Sequence, residues 1–151
     1  MNSLADMRRL LGFSEMRQRR CEQALVRTQQ QLQPLRQELA DVAEQTAALH
    51  SLLGSHRAED CVLDHGQLLA LLRRQAVIRR QIQVLHLERD RVEQQCRQID
   101  ERLQTEHEQL RFARQKHDKY ERTVAQQRRA LRLERVRREE REVEDMAGVQ
   151  R

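Results

Sequence analysis

The strongest constraint in this chain is a stripe of positions stepping alternately four and three residues from Leu71 to Leu131. Thirteen of its eighteen positions are apolar or nearly so, and the interruptions are Gln75, Arg89, Glu106, His117 and Gln127. Two apolar positions in seven, kept for eight heptads between charged faces, make a stripe too narrow to line a globular core. A helix built this way buries its seam against one other helix. The first third of the chain supplies a matching seam from Leu4 to Leu53, with eleven of fifteen positions apolar and Ser14, Gln18, Thr28 and Thr46 as the exceptions.

Composition excludes most other folds. Of 151 residues 38% are hydrophobic, 35% charged and 2% aromatic, and there are four Gly and one Pro. That is too little apolar stock for a round core and too few turn residues for a β architecture. An all-α chain of two long helices is expected. The net charge of +5 comes from 29 basic residues, all arginine but Lys116 and Lys119, spread among 24 acids, which reads as a solvated surface rather than a nucleic-acid footprint. No apolar run reaches the roughly 18 residues that span a bilayer, and Met1 to Phe13 lacks the apolar centre of a signal peptide. The expectation is a protein that stays inside the cell or leaves without a cleaved signal.

Local signals set the boundaries. Ser3 with Asp6, and Asp64 with Gln67, have the spacing of capping boxes. Gly54 stands where a left-handed C-terminal cap would end the first helix. Arm one is thus expected over 4–53, a loop over 54–66, arm two over 67–145 and a frayed tail over 146–151, an antiparallel coiled-coil hairpin within one domain. Pro34 removes one helical hydrogen bond and crowds the preceding turn, so a kink or short break is expected near 30–34.

If the arms fold back with Leu53 beside Gln67, facing residues have numbers summing to about 120. Ser14 then meets Glu106 and Thr46 meets Gln75, while Arg89 falls beside Gln31 or Leu32 without a match. In this register the second arm overhangs the first after about residue 116, leaving the seam at Tyr120, Val124 and Leu131 without a partner. The overhang carries Arg128, Arg129, Arg132, Arg135, Arg137, Arg138 and Arg141, then Glu139, Glu140, Glu142, Glu144 and Asp145. A lone helix of this kind is marginal in water and is expected to order against a partner. Near the turn, Leu52, Leu69, Leu72, Ala76, Val77, Val84 and Leu87 form an extra off-seam stripe, either a docking face or a thickening of the hairpin's own contact.

Motifs for chemistry are missing from the sequence. Cys21, Cys61 and Cys96 are odd in number and unpaired in spacing, and His50, His56, Cys61 and His65 around the loop match no compact zinc pattern. No Gly-rich phosphate loop or nucleophile–base–acid order can be found. A thin hairpin offers no enclosed pocket for catalysis, so neither an enzyme nor a cofactor is expected. The arginines after Leu131 follow the seam and are interleaved with acids, unlike a basic zipper, in which the basic helix precedes it. They are also poor in the bulky apolar residues of a membrane-surface helix.

This outline, with the string Met16-Arg17-Gln18-Arg19-Arg20-Cys21-Glu22-Gln23-Ala24-Leu25 and the ending through Glu139-Glu140-Arg141-Glu142, resembles the FliJ/YscO family, central-stalk proteins of bacterial type III secretion and flagellar export. The resemblance implies a hairpin like the γ-subunit of rotary ATPases. The end bearing both termini would sit in a hexameric export ATPase, and the body would contact the cytosolic ring of the export gate. Met7, Leu11, Tyr120, Val124, Arg128, Arg129, Leu131, Arg132, Arg135 and Arg138 would then face the ATPase. Leu52, Leu69, Leu72, Ala76, Val77, Val84 and Leu87 would face the gate. The resemblance further implies a monomeric cytoplasmic protein held at the inner membrane through its partners, export chaperones among them, and a part in virulence where the system is an injectisome. Pro34 departs from a straight first helix. The competing expectations are a homodimeric scaffold whose helices pair with their copies, or an export chaperone or exported substrate of the same apparatus.

Overall fold

The computed structural model describes residues 3–57 and 61–150. Residues 58–60 of the expected loop and residue 151 of the expected tail lie outside the described residues. Two helices account for nearly all of the rest, α1 (Leu4–Ser55) and α2 (His65–Val149), and the described residues contain no strand. The fold is an all-α two-helix antiparallel hairpin with an overhanging C-terminal helix.

Both expected capping boxes form. The Asp6 amide donates to Ser3 Oγ at 3.2 Å and the Ser3 amide to Asp6 Oδ2 at 3.3 Å. At the start of α2 the Gln67 amide donates to Asp64 Oδ1 at 2.7 Å and the Asp64 amide to Gln67 Oε1 at 3.2 Å. Each box satisfies amides that have no partner within the helix. Gly54 does not end α1 in a left-handed turn. The helix runs on to Ser55, whose Oγ donates to the Leu52 carbonyl at 2.7 Å, and the His56 amide reaches the Leu53 carbonyl at 3.3 Å. Side chain and backbone beyond the glycine do the capping, so no left-handed residue is needed there.

The break expected near Pro34 does not occur, since α1 is helical from Leu4 to Ser55 with the proline inside it. Pro34 and Gln30, whose carbonyl loses its amide donor, are both exposed, and solvent can satisfy that carbonyl. The heptad phase is the same on both sides, and seam burial on each holds the helix together.

The helices divide into two compact units, one of residues 26–104 and one of residues up to 25 with those from 105 on. In the first, Leu32, Val92 and Cys96 form a buried cluster with Leu35, Leu39, Ile99 and Leu103 packed on it. Val92 is fully buried at 0% exposure, which places a valine's hydrophobic transfer, about 1.5–3 kcal/mol, in that layer. Arg91 Nη2 lies 3.8 Å from Glu38 Oε1 beside it. In the second unit Met7, Ala113 and Val124 are buried, and Arg114 Nη2 donates to Glu22 Oε1 at 3.4 Å.

These contacts correct the register expected from the sequence. The Gln75 side-chain amide donates to the His56 carbonyl at 2.8 Å, so facing residues in this unit sum to about 131 rather than 120. Stepping from there puts Leu39 across from Val92, Leu35 across from Cys96 and Thr46 across from Leu85. Arg89 falls opposite Val42 rather than Leu32. In the other unit Ser14 shares a groove with Ala113, Lys116 and Tyr120, so it lies across from the turn that carries His117, not from Glu106. The difference arises at the turn, where α2 begins at His65 but first faces the end of α1 near Gln75, so its opening turns project past α1. Leu68, Leu69 and Leu72 are consequently 40–49% exposed.

Candidate docking surfaces

The shift in register moves the start of the overhang. Tyr120 is half-buried and Val124 only 3% exposed, because both lie in the seam against α1, while every described residue from Arg128 on is exposed. The open end of α2 therefore begins near Arg128, not near residue 116. Of the residues expected to face an ATPase, Met7 and Val124 are buried in the hairpin's own seam, and Leu11 and Tyr120 are half-buried there. Arg128, Arg129, Leu131, Arg132, Arg135 and Arg138 stand free of α1, with Leu131 at 50% exposure. The seam cannot continue past Leu131, because the next four-and-three positions are Glu134, Arg138, Arg141 and Asp145. The remaining apolar residues turn to another face, where Val136 and Val143 share a shallow depression with Glu139, Glu140 and Glu144.

All seven residues of the tip stripe are exposed, but they do not form one surface. Val77 and Val84 line an open groove of about 770 Å³ with Gln45, Ala48, Leu49, Arg80, Gln81 and Leu85, one wall from each helix. Leu52 and Val77 line an adjoining groove with His56, Arg73, Arg74 and Ile78. Val77 joins the two into one apolar trough edged by arginines. Leu69 and Leu72 sit on the projecting turns of α2, and neither they nor Ala76 and Leu87 line either groove.

Several exposed apolar residues lie outside the two surfaces expected from the sequence. Val62 is wholly exposed and Leu63 37% exposed just ahead of α2. Leu10, Phe13 and Met16 are 40%, 68% and 53% exposed on α1, with Phe112 at 51% on α2. Leu10, Phe13, Ser14 and Arg17 share a shallow groove with Ala113, Lys116 and Tyr120, and the Lys116 ammonium stands 4.8 Å from the centre of the Phe112 ring. The signal was present in the off-seam Phe13 and Phe112, two of only three aromatic residues in the chain.

The histidines and cysteines do not converge. His50 and His86 rings are 6.4 Å apart, Cys61 is exposed and Cys96 buried, and among the described residues no group of three or more His, Cys, Asp or Glu is placed to hold a metal. No helix of the described residues is long and apolar enough to cross a membrane.

No curated protein and no solved structure matches the chain. A family model does, that of the Salmonella surface presentation of antigen gene type M protein, over residues 5–147. That span takes in nearly all of both helices and both ends of the hairpin. The chain belongs to this family, which is of the FliJ/YscO type and associated with type III secretion.

Proposed function

We propose that the chain is a non-enzymatic central stalk of a type III export machine, linking a hexameric export ATPase to the cytosolic ring of the export gate and stimulating the ATPase. The observation that carries this reading is the segment from Arg128 to Val149. It is helical, exposed throughout and continuous with α2, and no described residue of α1 packs on it. Arginines dominate it up to Arg138, with Glu134 among them, and acids dominate it from Glu139 to Asp145, with Arg141 among them, so it is mainly basic first and mainly acidic last along one helix. Such a segment gains order and burial only from a receptor outside the hairpin.

A single helix inside a sixfold ring contacts its subunits unequally. If it binds one nucleotide state of a subunit better than another, it favours that state where it touches and biases the order of turnover. This requires differential affinity and no chemistry from the stalk. At the other end, the trough around Val77, with Leu49, Leu52 and Val84 on its walls and Arg73, Arg74 and Arg80 at its edges, suits an amphipathic acidic element of the gate ring. The seam residues Met7, Leu11, Tyr120 and Val124 serve in this scheme by holding α1 against α2 and so aiming the free helix.

The test is turnover of the cognate ATPase with the full chain and with a chain ending at Gln127. The cut removes the exposed segment and leaves the paired seam intact. Stimulation is expected with the full chain and not with the shortened one. Equal stimulation by both would sink the assignment of this segment to the ATPase.

A further inference from the structure

The chain holds two Phe, one Tyr and no Trp, and all three aromatics fall on one short stretch of the paired helices. Leu10, Phe13 and Arg17 step three and then four residues along α1, and Phe112, Lys116 and Tyr120 step four and four along α2. Each set is a second stripe of helical period beside its own seam. Leu10, Phe13, Arg17, Lys116 and Tyr120 line one groove between the helices, with the buried Ser14 and Ala113 beneath them. Phe112 joins it through the Lys116 ammonium, 4.8 Å from the centre of its ring. No acid lines the groove, and among the described residues neither Arg17 nor Lys116 has a carboxylate within ion-pair distance.

Two features decide what fits. Stripes of helical period on both walls, about 12 Å long at 1.5 Å per residue, match two to three turns of a third helix laid between the pair. Exposed rings beside cations without acidic partners match large apolar side chains edged by carboxylates. We propose that this groove docks an acidic amphipathic helix of a partner protein. Its apolar face packs on Leu10, Phe13 and Tyr120, and its carboxylates pair with Arg17 and Lys116. A lipid surface fits less well, being flat where these side chains wall a groove. The site lies on the paired part of the hairpin and leaves Arg128–Val149 free, so it stands apart from the segment assigned to the ATPase and does not depend on the stalk reading.

The sequence supplies its own reporter. Lys116 and Lys119 are the only lysines, and Lys119 does not line the groove. Amine acylation followed by mass spectrometry therefore reads occupancy at Lys116, with an internal control at Lys119. The probe is a synthetic helix of about four turns, leucine along one face and glutamate at its edges. One control peptide has arginine for glutamate, and another has its leucines scrambled at unchanged charge. At a concentration about ten times its Kd, the glutamate peptide is expected to slow Lys116 acylation in the full chain about tenfold, while Lys119 reacts as before. Salt is expected to weaken the protection, because exposed charges are screened. Neither control peptide is expected to protect Lys116. F13A, with helicity checked by circular dichroism, is expected to bind the glutamate peptide about tenfold more weakly and to stimulate the cognate ATPase as the wild type does. Undiminished Lys116 acylation with the glutamate peptide overturns the proposal, as does equal protection by either control. So does protection by phosphatidylglycerol vesicles in place of the peptide, which would make the groove a lipid contact. Loss of ATPase stimulation in a folded F13A would also overturn it, by placing the groove inside the ATPase interface.

Discussion

Replacing Val92 by Ala tests whether the two arms pair along the seam described. Val92 is 0% exposed and belongs to the cluster with Leu32 and Cys96. The substitution removes two buried carbons at about 0.8 kcal/mol each, to which the unfilled space adds a further cost. Alanine's better helix propensity returns about 0.5 kcal/mol. The expected net loss is about 1.5–2 kcal/mol, read as a lower urea midpoint at unchanged slope by circular dichroism at 222 nm. The matched control is Val84→Ala, at a position 56% exposed on another face of the same helix. There the transfer loss and the propensity gain nearly cancel, and the change is expected to stay within about 0.5 kcal/mol. Equal losses at the two positions, or a loss confined to Val84, would refute the pairing, because the core would then lie on a different face of α2.

Arg89 occupies a seam position but is exposed, its guanidinium turned to Asp90 at 3.1 Å and Glu93 at 3.8 Å. Arg89→Leu is expected to raise stability by about 1 kcal/mol by placing an apolar side chain in the seam where the guanidinium now turns to solvent, measured in the same denaturation. Pro34→Ala restores a hydrogen bond in an exposed stretch of α1, and the thermal midpoint is expected to rise by an amount matching about 1–3 kcal/mol. Asp64→Ala removes the acceptor for the Gln67 amide and is expected to cost about 1 kcal/mol, with faster hydrogen exchange confined to the first turn of α2.

What the sequence revealed about this fold was its local part. No seam position of arm one is exposed, and in arm two only Arg89 and Leu131 are. Heptad spacing settles this within each helix, independent of what the rest of the chain does. The capping boxes were legible for the same reason, since each is complete within four residues. Register was not, because it depends on how far α2 runs past α1 before the two meet. No periodicity encodes that, and the His56–Gln75 contact sets it. The error in register carried into the docking surfaces, assigning Tyr120 and Val124 to a receptor when they lie against α1. The tip trough was half legible. Val77 and Val84 could be found on α2 alone, but their opposing wall at Gln45, Ala48 and Leu49 follows only from the pairing. The aromatic patch was hidden for a similar reason, since Phe13 and Phe112 come from opposite arms.

Hydrogen exchange followed residue by residue, with and without the cognate ATPase and at concentrations where the chain is monomeric, tests the central claim most directly. Alone, the amides around Val92, Cys96 and Val124 are expected to be protected and those from Arg128 to Val149 to exchange fast, since no described residue of α1 packs on that end of α2. With the ATPase present, the Arg128–Val149 amides are expected to slow while the paired seam stays as it was. Fast exchange at Arg128–Val149 unchanged by the ATPase, or slow exchange there before it is added, would contradict the claim that this segment is the stalk's free, receptor-seeking end.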